Sequence, residues 1–185
     1  MKFIGTMILA AAVTVMSAPA QTDKVDQRKE NQQDRVAQGI KSGQLTAGET
    51  AKVETKEAAI NQEVRTDRTL NGGKLTNQEK QVVNRQQNQM SKQIYADKHN
   101  AATQLTPRSE VGARRENQQD RIANGVASGK LSAGQTAKLE KGESAINKEV
   151  KTDRSANGGK LTPAERKQVN QQQNQESRKI YRAKH

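Results

Sequence analysis

The chain has no cysteine and no tryptophan, and only one phenylalanine, two tyrosines, three prolines and two histidines in 185 residues. Without cysteine there is no disulfide framework, no thiolate metal site and no thiol nucleophile. With two tyrosines, Tyr95 and Tyr181, there are too few aromatic platforms for the stacking that single-stranded nucleic acid usually recruits. Hydrophobic residues make up 31% of the chain, well below the usual share, so any core has to be thin and aliphatic. No stretch alternates polar and apolar residues in the manner of a strand.

The single long apolar run lies at the start. Met1 and Lys2 precede an apolar segment from Phe3 to Met16, followed by Ser17-Ala18-Pro19-Ala20. A short basic start, a brief apolar run and an Ala-x-Ala end describe a secretory signal over residues 1–20, with cleavage expected after Ala20. The run is shorter than the ~18 to 20 residues of a spanning helix, so no membrane span is expected after cleavage. The expected location is secreted or periplasmic.

What remains is a duplication. Arg28 to His99 aligns on Arg114 to His185 without a gap at an offset of 86, with 45 of 72 positions identical. "ENQQDRVAQGIKSGQLTAGETAKVE" in the first copy faces "ENQQDRIANGVASGKLSAGQTAKLE" in the second. Between them Asn100 to Ala113 contains Pro107 and Gly112 and no periodicity, which reads as a linker. Inside each copy a weaker repeat places Leu45, Val53, Ile60 and Val64 at spacings matched by Leu75, Val83, Met90 and Ile94. The second copy follows with Leu131, Leu139, Ile146 and Val150, then Leu161, Val169, Glu176 and Ile180. Intervals of 7, 4 and 8 approximate whole turns at about 3.6 residues each, so after the leading Leu each set lines one narrow helical face.

Four helix starts share one chemistry: Thr46 with Glu49, Thr76 with Glu79, Ser132 with Gln135, and Thr162 with Glu165. Each pair fits a capping box, in which the hydroxyl accepts from the N3 amide and the N3 side chain accepts from the cap's own N–H. Gly43, Gly73, Gly129 and Gly159 stand just upstream as helix stops. The expected fold is all-α, with two tandem homologous three-helix domains of antiparallel helices, at 21–99 and 114–185, around a linker at 100–113. The helices of the first are expected near 24–41, 46–70 and 76–98.

The turn Gly73-x-Leu75-x-x-x-Glu79 resembles the back half of an EF-hand calcium loop, in which Gly, an aliphatic residue and Glu occupy the sixth, eighth and twelfth positions. The front half departs from that family, because Arg68, Leu70 and Gly72 fall where it carries oxygen ligands. The resemblance implies weak calcium binding through a longer loop, by Asp67, Asn71 and Glu79 in the first copy and Asp153, Asn157 and Glu165 in the second. The capping box accounts for Thr, Glu and Gly at the same sites with no metal, and in that reading no cofactor is needed.

The formal net charge is +12. The last helix of the second copy concentrates it in Arg166, Lys167, Arg178, Lys179, Arg182 and Lys184, the candidate anion-binding set. Anionic envelope polymers or lipid head groups suit the compartment better than nucleic acid. An enzyme is not expected, since His99 and His185 close their repeats one turn after a tyrosine, and no serine lies in a nucleophile-like context. The reading is an exported, non-catalytic helical-repeat protein that acts as a binding or structural module. A homo-oligomer through Val82, Val83, Met90 and Ile94 is one arrangement considered. The alternatives are a hydrophilin-like stress protectant, suggested by the hydrophilic, tryptophan-free composition, and the weak calcium binder.

Overall fold

The computed structural model describes residues 24–103 and 109–185. The signal segment and part of the linker lie outside the described residues. Those described form six helices and no strand. They are α1 (Lys24–Ser42), α2 (Ala47–Leu70), α3 (Asn77–Lys98), α4 (Glu110–Ala127), α5 (Ala133–Ala156) and α6 (Pro163–Lys184). Helix α4 is capped by Ser109 and so begins inside the stretch expected as linker. No described helix is long and apolar enough to cross a membrane.

The four expected capping boxes are all formed. At α3 the Thr76 hydroxyl accepts from the Glu79 amide at 3.3 Å, while Glu79 Oε2 accepts from the Thr76 N–H at 2.7 Å. Helices α2, α5 and α6 begin in the same way. The polar segments gain their definition from these caps, which fix where each helix starts even though propensity alone leaves the ends frayed. Close approach of backbone to side chain sets the next feature. A Cβ at Gly39 would lie 2.6 Å from Leu45 Cδ1, and one at Gly125 would lie 2.6 Å from Leu131 Cδ1. Glycine in the last turns of α1 and α4 thus lets the first leucine of the following segment fold back under the helix.

Every aliphatic position of the four 8-7-4 sets is buried, and so is Glu176, which occupies a core position. The stripe on α3 is covered within the chain, because Val83, Met90 and Ile94 are at most 2% exposed. That corrects the expectation that these residues leave apolar surface for a second copy; only Val82 beside them is half-buried. Buried glutamines stitch α3 to α1. Gln32 Nε2 donates to Gln87 O at 2.7 Å and to Ser91 Oγ at 3.0 Å, and Gln87 Nε2 donates to Val25 O at 2.9 Å. Gln118 and Gln173 repeat the pattern between α4 and α6. The Gln- and Asn-rich stretches that begin at Asn84 and Asn170 thus supply interhelical hydrogen bonds.

Within a repeat α1 hardly touches α2; each packs on α3 and, more extensively, on its counterpart in the other repeat, α1 on α4 and α2 on α5. A Cβ at Gly48 would lie 3.3 Å from Ser144 Oγ, and one at Gly134 would lie 3.9 Å from Ala58 Cβ. Exchanging the repeats turns one pair into the other, since Gly134 and Ser144 stand 86 positions after Gly48 and Ala58. The helices α2 and α5 are thus antiparallel about a local two-fold axis, midway along an overlap centred on Val53 and its equivalent Leu139. One apolar cluster spans the axis, containing Val36, Ile40, Leu45 and Val53 with Ile122, Val126, Leu131 and Leu139.

The caps carry a direct test. Thr76→Ala is expected to lower unfolding stability by about 1 kcal/mol, read as the shift of the urea midpoint followed by circular dichroism. A shift within a few tenths would show that the hydroxyl is not the cap of α3.

Candidate functional site

Helix α2 turns a second face inward, toward α1 and α5, and that face carries acids. Glu54 and Glu57 are 0% and 2% exposed; their equivalents Glu140 and Glu143 on α5 are 0% and 1% exposed. A buried carboxylate without a cationic partner is among the most unfavourable groups a core can hold, and proteins meet the problem by neutralising it. Glu54 receives Gln33 Nε2 at 3.2 and 3.3 Å on its two oxygens, and Glu140 Oε2 receives Gln119 Nε2 at 3.1 Å. These are single amides from α1 and α4, not charges. Glu54 and Glu140 are also close enough across the two-fold axis for the charge of one to oppose ionisation of the other.

Burial dominates at all four. It pushes Glu54 up to about 8 against the bond from Gln33, with Glu57 adding to the rise. Glu57 is pushed up to about 7, its burial opposed by Lys29 of α1 and by Asn61. Glu140 rises to about 8, with Gln119 opposing and Glu143 and Glu54 assisting. Glu143 rises to about 8 through its burial, with Glu176 on α6 adding to the rise and the Arg115 guanidinium of α4 opposing it. Acceptors are in excess throughout this interior. Both oxygens of Glu143, Oε1 of Glu140 and Oε2 of Glu176 have no hydrogen-bond partner, and neither do the Oε1 atoms of Gln119, Gln118 and Gln32. A proton on Glu140 and on Glu143 supplies O–H donors that such a set of acceptors needs.

The two repeats differ at one core position. Met90 of α3 corresponds to Glu176 of α6, whose carboxylate packs onto α5 where Gly142 stands: a Cβ there would lie 2.5 Å from Glu176 Oε1. Lys179 Nζ pairs with that oxygen at 2.7 Å. The polar insertion divides the second repeat's core, leaving Val111, Ile146, Val150, Leu161 and Val169 as a separate apolar cluster.

The residues named as calcium ligands are brought together in part. Asn71 Nδ2 donates to both oxygens of Glu79 at 2.9 Å, and Asn157 Nδ2 donates to Glu165 at 2.9 and 3.0 Å. Asp67 and Asp153 lie within electrostatic reach of the same glutamates. Glu79 and Glu165 are at the same time the capping acids, and their bonds to Thr76 and Thr162 hold them below the usual carboxylate range. Among the described residues no group of three or more His, Cys, Asp or Glu is disposed to hold a metal ion. The named anion-binding side chains do not form one face. Lys179 serves Glu176, and Lys184 Nζ donates to Arg121 O at 3.1 Å. Arg178 and Arg182 are exposed, as are Lys167 and Arg166, the latter lining a separate groove with Arg154 and Lys160. Tyr95 stacks on His99 and Tyr181 lies against His185, with ring centroids 4.1 and 4.5 Å apart, on the surface.

No family model, curated protein or solved structure matches the chain. Sequence reasoning passed over the buried acids because acids on a polar helix ordinarily face water. The signal available was internal: Glu54 and Glu57 are kept unchanged at 140 and 143 although residues 53, 55, 56 and 58 beside them all differ from their equivalents, and Gln33 is kept at 119.

The sign of the pH dependence follows from these directions. Carboxyls that hold their protons more tightly in the folded than in the unfolded chain contribute stability that is full below the ordinary glutamate range and lost as pH rises through about 7 to 8. Each such group steepens the fall by up to about 1.4 kcal/mol per pH unit inside that window. Urea midpoints are expected to drop between pH 5 and pH 8.5, and Glu54→Gln with Glu140→Gln to flatten the drop. A wild-type midpoint that is level across the range would mean that the acids are ionised or solvated.

Proposed function

We propose that this chain is an exported, non-catalytic helical module that binds anionic partners of the envelope or the extracellular space, its two homologous three-helix repeats acting as the halves of one body. The observation that carries the reading is the segregation of charge. Residues 114–185 hold 16 basic and 8 acidic side chains. Three of those acids, Glu140, Glu143 and Glu176, are buried, which leaves five outside the interior. In residues 28–99 the balance is 13 basic to 9 acidic, with Glu54 and Glu57 buried. Burial removes negative charge from the surface while the basic groups stay in water. The face presented to a partner is therefore more basic than the composition implies, most of all in the second repeat. Such a surface attracts polyanions by displacing their counterions and needs no sequence or shape readout.

Two features support this over a protectant that is disordered in dilute solution. Equivalent buried residues pair across the axis, and amide side chains bond the same partners in both repeats. Export rests on residues 1–20, outside the described residues. The calcium reading rests on the juxtaposition of Asn71 with Glu79 and of Asn157 with Glu165, with Asp67 and Asp153 within electrostatic reach.

The test is binding of mature residues 21–185 to dextran sulfate across a range of salt. Lys167, Arg178 and Arg182 are all exposed, and two of their three counterparts in the first repeat, Gln81 and Ala96, are uncharged. Replacing the three by glutamine is expected to lower affinity about tenfold or more at 0.05 M salt, and to reduce the slope of log K against log salt by roughly two to three. A wild-type chain that does not bind the polymer at low salt would sink the proposal.

A further inference from the structure

The repeats treat one arginine differently. In the first, Arg68 near the end of α2 pairs with Asp26 in the first turn of α1, at 2.9 and 3.1 Å. Its equivalent in the second repeat is Arg154, and the position of Asp26 is taken by Gly112. Arg154 has no carboxylate within ion-pair distance among the described residues and donates to Ser109 Oγ at 3.1 Å. It stands in a groove of about 340 Å³ lined by Ser109, Arg154, Lys160 and Arg166, with Val111 and Leu161 at its floor and Glu110 as its one acid. Three cations from the end of α5, the following turn and the start of α6 converge there on the first turn of α4.

The crowding of like charge extends beyond the groove. Arg115, half-buried on α4, is held below the ordinary guanidinium value by its burial first, with Arg154 opposing its charge and Glu143 and Glu116 favouring it. Arg115 also donates to Asn147 Oδ1 at 3.4 Å. The electrostatic demand is for an anion at the place where the first repeat supplies its own carboxylate. A group with several acceptor oxygens and more than one negative charge answers it best, since the guanidinium of Arg154 and that of Arg166 present forked donors and Lys160 a point charge. The dipole of α4, whose first turn is capped by Ser109, adds to the same field.

We propose that the groove between the start of α4 and the α5–α6 turn is a phosphate-binding site, with Arg154, Lys160 and Arg166 as its cations, Ser109 as its hydroxyl donor, and a phosphate monoester, free or at the end of a lipid headgroup, as its ligand. This rests on the reading of the chain as a binder of anions, and it confines part of that binding to one repeat. Glu110 is the counter-charge that tunes the affinity, and the first repeat, with Asp26 on Arg68, has no such site.

The experiment uses the mature chain, with inorganic phosphate titrated by calorimetry and by the Arg side-chain NMR signals. One saturable equivalent is expected. Arg154→Gln or Arg166→Gln should weaken it at least tenfold, Gly112→Asp should abolish it by restoring the carboxylate of the first repeat, and Glu110→Gln should tighten it. Helical circular dichroism equal to wild type in Arg154→Gln and Arg166→Gln guards against loss by unfolding. The variant with Lys167, Arg178 and Arg182 replaced by glutamine should keep wild-type phosphate affinity. Phosphate binding unaltered in Arg154→Gln and Arg166→Gln would overturn the site while dextran sulfate binding, if present, upholds the wider reading. Loss of both ligands in the wild-type chain would remove both. Vesicles containing phosphatidic acid give the source: sedimentation with them, reversed by phosphate and absent in Arg154→Gln, assigns a headgroup, and phosphate binding without sedimentation assigns a free ligand.

Discussion

A glutamate sealed from water has to be paired with a cation, bound to a metal or neutral, and the packing between the repeats depends on which of these applies. Lys29 and Arg115 approach Glu57 and Glu143 without dominating them, while Glu54 and Glu140 have only amides and each other. Neutral carboxyls can lie side by side as hydrogen-bonding groups; ionised ones repel across the axis in a medium that screens them poorly. The two halves of the molecule thus meet over buried carboxyls as well as over the shared apolar cluster. A thin aliphatic core can accept such a device because carboxyl and amide groups fill volume that valine and leucine, in a chain this polar, are too few to fill.

The same burial shapes the outside. Removing acids from the surface without removing bases sets up a field in the second repeat that no single side chain accounts for. Interior and exterior are consequently linked, because the burial that raises the pKa of Glu140 and Glu143 also takes those acids out of the surface where the basic groups lie.

The aliphatic positions were legible because helical spacing and burial coincide there, and Leu45, Val53, Leu75 and Val83 all lie where their period puts them. Helix starts were legible for a different reason, since a hydroxyl followed three residues later by Glu or Gln has one local solution whatever the tertiary fold. The acids were not legible, because burial of a charged residue type is decided by what packs above it, and the partner of α2 is α5, more than 60 residues away along the chain. Local pattern suggests self-sufficient repeats, while the apolar face of α1 around Val36 and Ile40 is completed by Ile122 and Val126 of the other repeat. For the groove the relevant signal was a difference between copies, Asp26 against Gly112, which a search for shared motifs passes over. At the NGG turns the residues of the local resemblance and those of the helix caps overlap, since Glu79 and Glu165 belong to both.

Fusion of two copies into one chain has a physical consequence at the axis. In a symmetric homodimer every substitution appears twice, so an acid introduced at the position of Met90 would enter both cores together. A linker makes the second association intramolecular, which relaxes the demand for affinity between halves, and it lets one half change alone. Glu176 with Gly142 and Lys179 is one such change, tolerated because the first repeat keeps Met90 and a continuous apolar core. Gly112 opposite Arg154 is another, possible because Asp26 still closes the equivalent corner of α1 and α2. The half that lacks the internal pairing is the half with the greater excess of exposed basic groups, so closure of that corner and the surplus of basic charge fall in different repeats.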